Sequence, residues 1–592
     1  MPPRPTRRAA RRGPGHAWIL AAACLGLTLV GVVGASRSED GASASEERLV
    51  LFYNGTFHRG FDPQDSGAYA PSLAEAVLAS DGRIVRVGSF AEVSASAEGR
   101  AAEQVDLGGG HAFPGFNDAH VYLERFGASL EQVDLAGSAT YDEVVRRIRE
   151  RAAEQPADSW IVARGWDRTT WADGAWPEHG PLSSAVPLHP VLAFETGGHA
   201  VLVNAAALAL AGLDGEELPA DPEGGEIVRA DGRATGVLVG TAIRFVAAKL
   251  DAPTDETRVR HFLRAQEALF ARGITAVHDM GVDARGVELL RGLRDDGRLK
   301  LRVAAYLRGD AIATPEEARK LADVGGDGLA LRVVGVAMML DGALGSRAAA
   351  LSKDYADAPG RRGLLRMDVE RFSAQVDVAA RAGLQPATNA VGDRAVRIAL
   401  DAYGRAAQDV EGFAGLRPRI EHLEVVAESD FARLAELGVI PSLQPAQLTD
   451  SLRWIEARLG RDRASRAHAW RRLADGSTLP IVFGSDAPLG RPRPLEWLHA
   501  ALTRQDAAGA PKGGFHPEQR VTAVDALAAM TSAPAFVIAD EELRGLLLPG
   551  HRCDLTVVDV DLTQLTATSA QRALDASLLM TVVNGEVVHR KR

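Results

Sequence analysis

Polar, chemically capable side chains follow one short apolar run after another along this chain. Pro114-Gly115-Phe116-Asn117-Asp118-Ala119-His120 ends an apolar stretch on an imidazole. Residues 274–277 run into His278-Asp279, 331–340 into Asp341 and 384–388 into Asn389. Arg419-Ile420 leads to Glu421-His422, and 479–484 to Ser485-Asp486. Imidazoles and carboxylates are side chains that move protons and hold divalent ions. Brought together, they would make a reactive centre.

The elements between them predict how they are brought together. Thr140-x-x-Glu143 opens a helix with Val144, Val145 and Ile148 on one face, and Thr314, Pro315 and Glu317 repeat the device. Helices alternating with buried strand-like runs predict a parallel sheet. Polar groups after successive strands favour an α/β fold of the (β/α)8 type, a TIM-type barrel over 113–545, whose site gathers at the C-terminal strand ends. An open doubly wound sheet lacks its glycine fingerprint here. Residues 159–240, rich in Trp, Gly and Pro, break the alternation and read as an insertion after the first strand that covers the barrel mouth.

Outside the barrel, residues 49–53 lead to Asn54-Gly55, a hairpin signal, and Asp81-Gly82 separates two further strand-like runs. The C-terminus echoes this with 555–560, 580–583 and Asn584-Gly585. These ends, 48–112 and 546–592, are expected to form one small composite β-sandwich.

Bulk properties narrow the function. At 592 residues the chain exceeds one hydrophobic core. A net charge of −11 with no Lys/Arg run beyond residue 16 excludes nucleic acid as a partner. Arg4, Arg7, Arg8, Arg11 and Arg12 precede an uncharged apolar run over 17–35. That is the layout of a signal peptide, near the lower length limit of a membrane anchor. Residues 36–47 read as a flexible linker. The expectation is export to a bacterial cell envelope, the periplasm or beyond, with membrane contact only through the N-terminal segment. Cys24 and Cys553 are the only cysteines, so removal of the leader leaves no intrachain disulfide. Oligomeric state is not legible.

The ordered motifs resemble the amidohydrolase superfamily, in the branch containing N-substituted formamide deformylases. The likeness runs from about residue 48 to the C-terminus. It includes the segment ending in His120, Gly165-Trp166-Asp167, Gly198-His199 with Asn204, Asp221-Pro222-Glu223-Gly224-Gly225 and Asp341 to Arg347. It continues through Gly392-Asp393-Arg394-Ala395, Arg419 to His422, Gly484 to Pro488, and Pro549-Gly550 before Asp554.

The resemblance implies hydrolysis of a C–N bond by metal-activated water, with zinc or another divalent ion as cofactor. It implies metal ligands at His120, His422 and Asp486, with Asp486 also taking the proton of the attacking water. Trp166, His199, Asp341 and Arg347 match substrate-facing segments. Three ligand positions depart from the family: Tyr122 replaces the second histidine of a His-x-His pair, Ala337 a carboxylated lysine, and Asn389 a histidine. Tyr122 and Asn389 could still donate oxygen. The retained three divide between two ions in the family, His120 and Asp486 on one and His422 on the other.

Two readings stand open. One is a hydrolase acting on carbon–nitrogen bonds of small molecules with an incomplete metal site. The other is a non-catalytic pseudo-hydrolase that has lost the ion, with no cofactor, and binds a small molecule in the barrel mouth.

Overall fold

The computed structural model describes residues 48–60, 73–97, 102–172, 174–196, 198, 200–222, 225–326, 330–476 and 479–591. The expected leader (1–35), the expected linker (36–47) and His199 lie outside the described residues. Among the described residues no helix is long and apolar enough to cross a membrane.

Eight parallel strands form the central sheet: β1 (Phe116–Val121), β2 (Ile274–Val282), β3 (Arg302–Arg308), β4 (Leu331–Met339), β5 (Gln385–Ala390), β6 (Arg419–His422), β7 (Ile440–Leu443) and β8 (Val482–Phe483). They neighbour one another in sequence order, as a (β/α)8 barrel requires. The segment after β8 closes the ring on β1. Asp486 N donates to His120 O (2.8 Å), Tyr122 N donates to Ala487 O (3.0 Å), and Val121 bridges Ala487 in parallel. Gly484 permits this approach, since a Cβ there would sit 2.5 Å from the His120 nitrogen. Closure therefore sets His120 beside Asp486.

Side chains fill the barrel in layers. Ala119, Ala304, Ile440 and Val482 pack below against Phe536, Val537 and Ile538. Tyr122, Met280, Tyr306 and Ala387 pack above, with Ala337 at their edge. Helices such as Asp255–Phe270 and Asp393–Asp409 cover the outside with their apolar faces.

The two chain ends form a sandwich of two sheets. One has the order Arg83–Gly88, Ala76–Ser80, Leu49–Tyr53, Glu103–Asp106. The other runs Glu586–Arg590, Leu578–Val583, Leu555–Val558, His111–Pro114, Thr56–His58, Leu73–Ala74. Phe52, Phe57, Val77, Leu555, Val557 and Met580 share its core. Asp81-Gly82 and Asn584-Gly585 do turn antiparallel hairpins. Asn54-Gly55 does not. Leu49–Tyr53 finds partners in Ala76–Ser80 and Glu103–Asp106, and the turn carries the chain across to the second sheet.

The insertion is larger than its composition suggested. Its six-stranded sheet begins with Val133–Asp134 and ends with Arg233–Gly240. Helix Tyr141–Ala152, capped by Thr140 as expected, packs Val144 and Ile148 into this sheet's core and not onto the barrel.

A buried ion pair fastens sandwich to barrel. Arg302, at the start of β3, meets Asp554 at 2.5 and 2.8 Å, and Asn584 N donates to the same carboxylate. Asp554→Asn strands the buried guanidinium without its counter-charge. The expected loss is about 3–5 kcal/mol in denaturant unfolding, against under about 1 kcal/mol for an exposed pair such as Arg48–Glu103.

Candidate active site

A fully buried arginine organises the barrel centre. Arg419 pairs with Glu421 at 2.6 Å and also donates to Ala119 O (2.7 Å), Ser442 Oγ (2.9 Å), Tyr306 Oη (3.1 Å) and His278 Nδ1 (2.8 Å). Burial opposes ionisation of Glu421, but Arg419 and then His120 outweigh it and hold the carboxyl at about 2. His278 accepts from a cation on Nδ1, and burial followed by the Arg419 charge keeps its imidazole well below the usual range. It is a neutral support, in line with its lack of any ligand role.

Glu421 in turn grips His120. Its Oε2 lies 2.8 Å from His120 Nδ1, which turns Nε2 toward Asp486 Oδ1 at 3.5 Å. Nε2 is buried and makes no hydrogen bond. Burial alone would lower His120, but the carboxylates on both sides outweigh it and raise the imidazole to about 9. Asp118, at the same strand end, accepts Ser485 N (2.8 Å) and His120 N (3.2 Å), tying β1 to the closing segment.

Gln447 links the other two retained residues. Its Oε1 faces His422 Nδ1 at 3.0 Å, and its Nε2 donates to Asp486 Oδ2 at 2.6 Å. The His120 and His422 rings meet edge-on, 5.2 Å between centroids. Burial lowers His422 from its ordinary value. His422 and Asp486 both hold left-handed backbone, φ 76° and 59°. Such conformations cost of order 1–3 kcal/mol and concentrate where function demands them.

The three departures from the ligand pattern sit beside this centre. Asn389 Nδ2 donates to the Tyr122 hydroxyl at 3.3 Å. Burial, then the Asp486 charge, pushes the Tyr122 phenol well above its usual range, which opposes binding of an ion as phenolate. Ala337 contributes only its methyl group to the apolar layer. A recess of about 370 Å³ opens next to Tyr122, lined also by Arg125, Phe262, Asp279, Gly281 and Arg308. The Arg125 guanidinium lies over the Tyr122 ring, 5.2 Å from its centroid. No described residue of the insertion sheet lines this recess.

Three residues expected to face substrate are engaged in other contacts. Trp166 is fully buried in the insertion core, stacked on Trp171, with Nε1 donating to Ala193 O. Asp341 spends its carboxylate on the amides of Ala350, Val391 and Gly392 at 2.8–2.9 Å, clamping the loops after β4 and β5. Arg347 pairs with Asp357 at 2.8 Å, away from any recess residue. Polar types in glycine-bearing turns looked like ligand contacts because turn-building and ligand-binding draw on the same residues. Gln447, Arg125 and Asp279 were missed as site residues. For Gln447 no local pattern marks a residue in helix Pro445–Ser451 as the bridge between strands β6 and β8.

Comparison with known proteins now decides the family. The model of the amidohydrolase family matches residues 103–589. The chain belongs to the amidohydrolase family. It is 30% identical over 560 residues to Protein LONG AFTER FAR-RED 3 of Arabidopsis thaliana, covering 91% of each chain. It is 28% identical over 535 residues to the N-substituted formamide deformylase of Arthrobacter pascens, covering 87% of this chain and 94% of that one. Among solved structures, an uncharacterized metal-dependent hydrolase from Pyrococcus horikoshii superposes with a TM-score of 0.72 at 27% identity, over 88% of this chain and 99% of that one. This amidohydrolase-family hydrolase therefore carries the family's (β/α)8 barrel and sandwich over nearly their whole length.

Asp279 supplies a pH test of the recess. Burial raises its carboxyl to about 7, while Leu123 N donates to it at 3.2 Å. The folded chain thus keeps a proton that the unfolded chain releases above about pH 4. Stability is lost as pH rises from about 4 through 7, and the loss is constant above that. Asp279→Asn keeps an acceptor for Leu123 and removes this loss. Relative to the parent, the variant should gain stability between about pH 4.5 and pH 8 in denaturant unfolding; a pH-independent difference would contradict the assignment.

Proposed function

We propose that the barrel centre hydrolyses a carbon–nitrogen bond of a small N-substituted amide, using no more than one divalent ion. The observation that carries this reading is the orphaned, buried His120 Nε2, held by Glu421 and aimed at Asp486. Two ions do not fit the donors: Ala337 cannot bridge them, Asn389 offers only a neutral amide oxygen where an imidazole would bind better, and the Tyr122 phenol keeps its proton. One ion is the most these donors could hold: His120 Nε2 and Asp486 Oδ1 lie 3.5 Å apart, and His422 would have to move closer to complete the two imidazoles and one carboxylate that suit zinc. Bound there, such an ion would bring the pKa of a water ligand to about 7.

The protein's own groups would do the rest. Gln447 Nε2 holds Asp486 Oδ2, which leaves Oδ1 to receive a proton from the attacking water. The Tyr122 hydroxyl accepts from Asn389 and retains a proton to donate to the substrate carbonyl oxygen, taking over the polarising role of a second ion. The recess beside Tyr122 is of small-molecule size. Arg125 there offers a cation to a polar or anionic substituent. A formamide is a fitting first substrate because a relative at 28% identity is named a formamide deformylase. The leader supports action outside the cytoplasm.

The test is hydrolysis of an N-substituted formamide by purified protein, stripped of metal and then given graded Zn²⁺. Activity should saturate with one added ion at the barrel. Tyr122→Phe should lower kcat about 10²–10³-fold, the cost of losing one well-placed donor. Asp486→Asn should abolish turnover. A protein that binds the amide but turns it over at no metal concentration would instead be a binding protein.

A further inference from the structure

A second cluster of ligand-type side chains lies on the sandwich strands and shares no residue with the barrel centre. His58 ends strand Thr56–His58, and His111 begins strand His111–Pro114. Asp561 caps the turn Leu562–Gln564, shortly after strand Leu555–Val558. The His111 strand pairs with both others, Thr56 opposite His111 on one side and Val558 opposite His111 on the other. Alternation then sorts the side chains. Phe57 and Ala112 enter the sandwich core, while Phe113 joins the barrel's apolar cluster on the opposite face, with His58 stacked on it.

There, His58 Nε2 lies 3.1 Å from His111 Nδ1 and 3.8 Å from Asp561 Oδ1. Among the described residues this is the only His/Cys/Asp/Glu trio whose ligand atoms all lie within 4.8 Å of one another. The His58 ring is fully buried, its face 4.3 Å from that of Phe113, and its Nδ1 has no hydrogen-bond partner. Two imidazoles and a carboxylate thus converge with one hydrogen bond among the three ligand atoms, a donor set that a single cation could share.

We propose that His58, His111 and Asp561 bind a divalent transition metal of the zinc class, which staples the first strands of the sandwich to its C-terminal half. A tetrahedral zinc with nitrogen ligands at about 2.0–2.1 Å holds them roughly 3.3 Å apart, close to the spacing already present. Imidazole donors select zinc, copper or nickel over calcium and magnesium. Thr563 donates from both N (2.9 Å) and Oγ1 (2.6 Å) to Asp561 Oδ1, fixing the carboxylate as a ligand's outer partner does. His111 and Asp561 are partly exposed, which gives an ion a path in and leaves a fourth position to water.

The test uses the full chain, stripped with chelator and titrated with Zn²⁺, reading bound metal by elemental mass spectrometry and Tm by thermal unfolding. Co²⁺ serves as a spectroscopic probe of tetrahedral nitrogen ligation. His111→Ala should lose one ion per chain and the Zn²⁺-dependent rise in Tm. Asp561→Asn keeps an acceptor for Thr563 and should weaken binding at least about tenfold. His120→Ala should retain this ion and its Tm rise, which separates the site from the barrel centre. The proposal is overturned if the parent binds no ion outside the barrel centre. It is equally overturned if stoichiometry, Co²⁺ spectrum and Tm rise survive both His111→Ala and Asp561→Asn.

Discussion

The Arg419–Glu421 pair is the constraint on which the barrel centre depends. Both groups are fully buried, and moving such a pair out of water costs several kcal/mol per ion unless every donor and acceptor is met. Here the guanidinium reaches side chains on three strands besides its own, β2, β3 and β7, and the backbone of a fourth, β1. The unused side of Glu421 then fixes one nitrogen of His120. The orientation of His120 is thus inherited from a charge network beneath it. A carboxylate that holds the far nitrogen of an imidazole is also what sharpens that imidazole as a metal or proton partner. None of the hydrogen bonds of this network involves Tyr122, Ala337 or Asn389, the positions read from the sequence as departures from the family's ligand pattern.

Those changes are mutually consistent. Ala337, Met280, Ala387 and the Tyr122 ring form one apolar layer where a second ion would need charged donors. Lower polarity there disfavours the Tyr122 phenolate, and a protonated Tyr122 can be held by the neutral amide of Asn389. The polar half of the site, from His120 through Asp486 and Gln447 to His422, stays connected by hydrogen bonds and close contacts. An enzyme of this kind would polarise its substrate with a hydrogen bond in place of a second cation.

Much of the scaffold was legible in the sequence because it is written in local patterns. Apolar runs ending in polar residues gave all eight strand positions except β3 and β7, whose ends carry no comparable group. Asp81-Gly82 and Asn584-Gly585 marked true hairpins, while Asn54-Gly55 misled because the turn was read correctly but its strand partners lie elsewhere in the chain. His120, His422 and Asp486 were identifiable from type and motif. The failures were contacts made at long range. Gln447 meets His422 and Asp486 only after two strands and a helix have folded, and Trp166 could be recognised as core only once Trp171 and Ala193 lay against it. Asp341, with three backbone amides to itself, shows how a loop clamp imitates a substrate contact.

The central claim is that the barrel centre has donors for one ion and not for two. Crystals equilibrated with Zn²⁺ and measured at the zinc absorption edge would locate every bound ion by anomalous scattering. A single peak within ligand distance of His120 Nε2 and Asp486 is expected, with none between Ala337 and Asn389. Two peaks bridged at the mouth, with Tyr122 or Asn389 ligating one of them, would contradict the account.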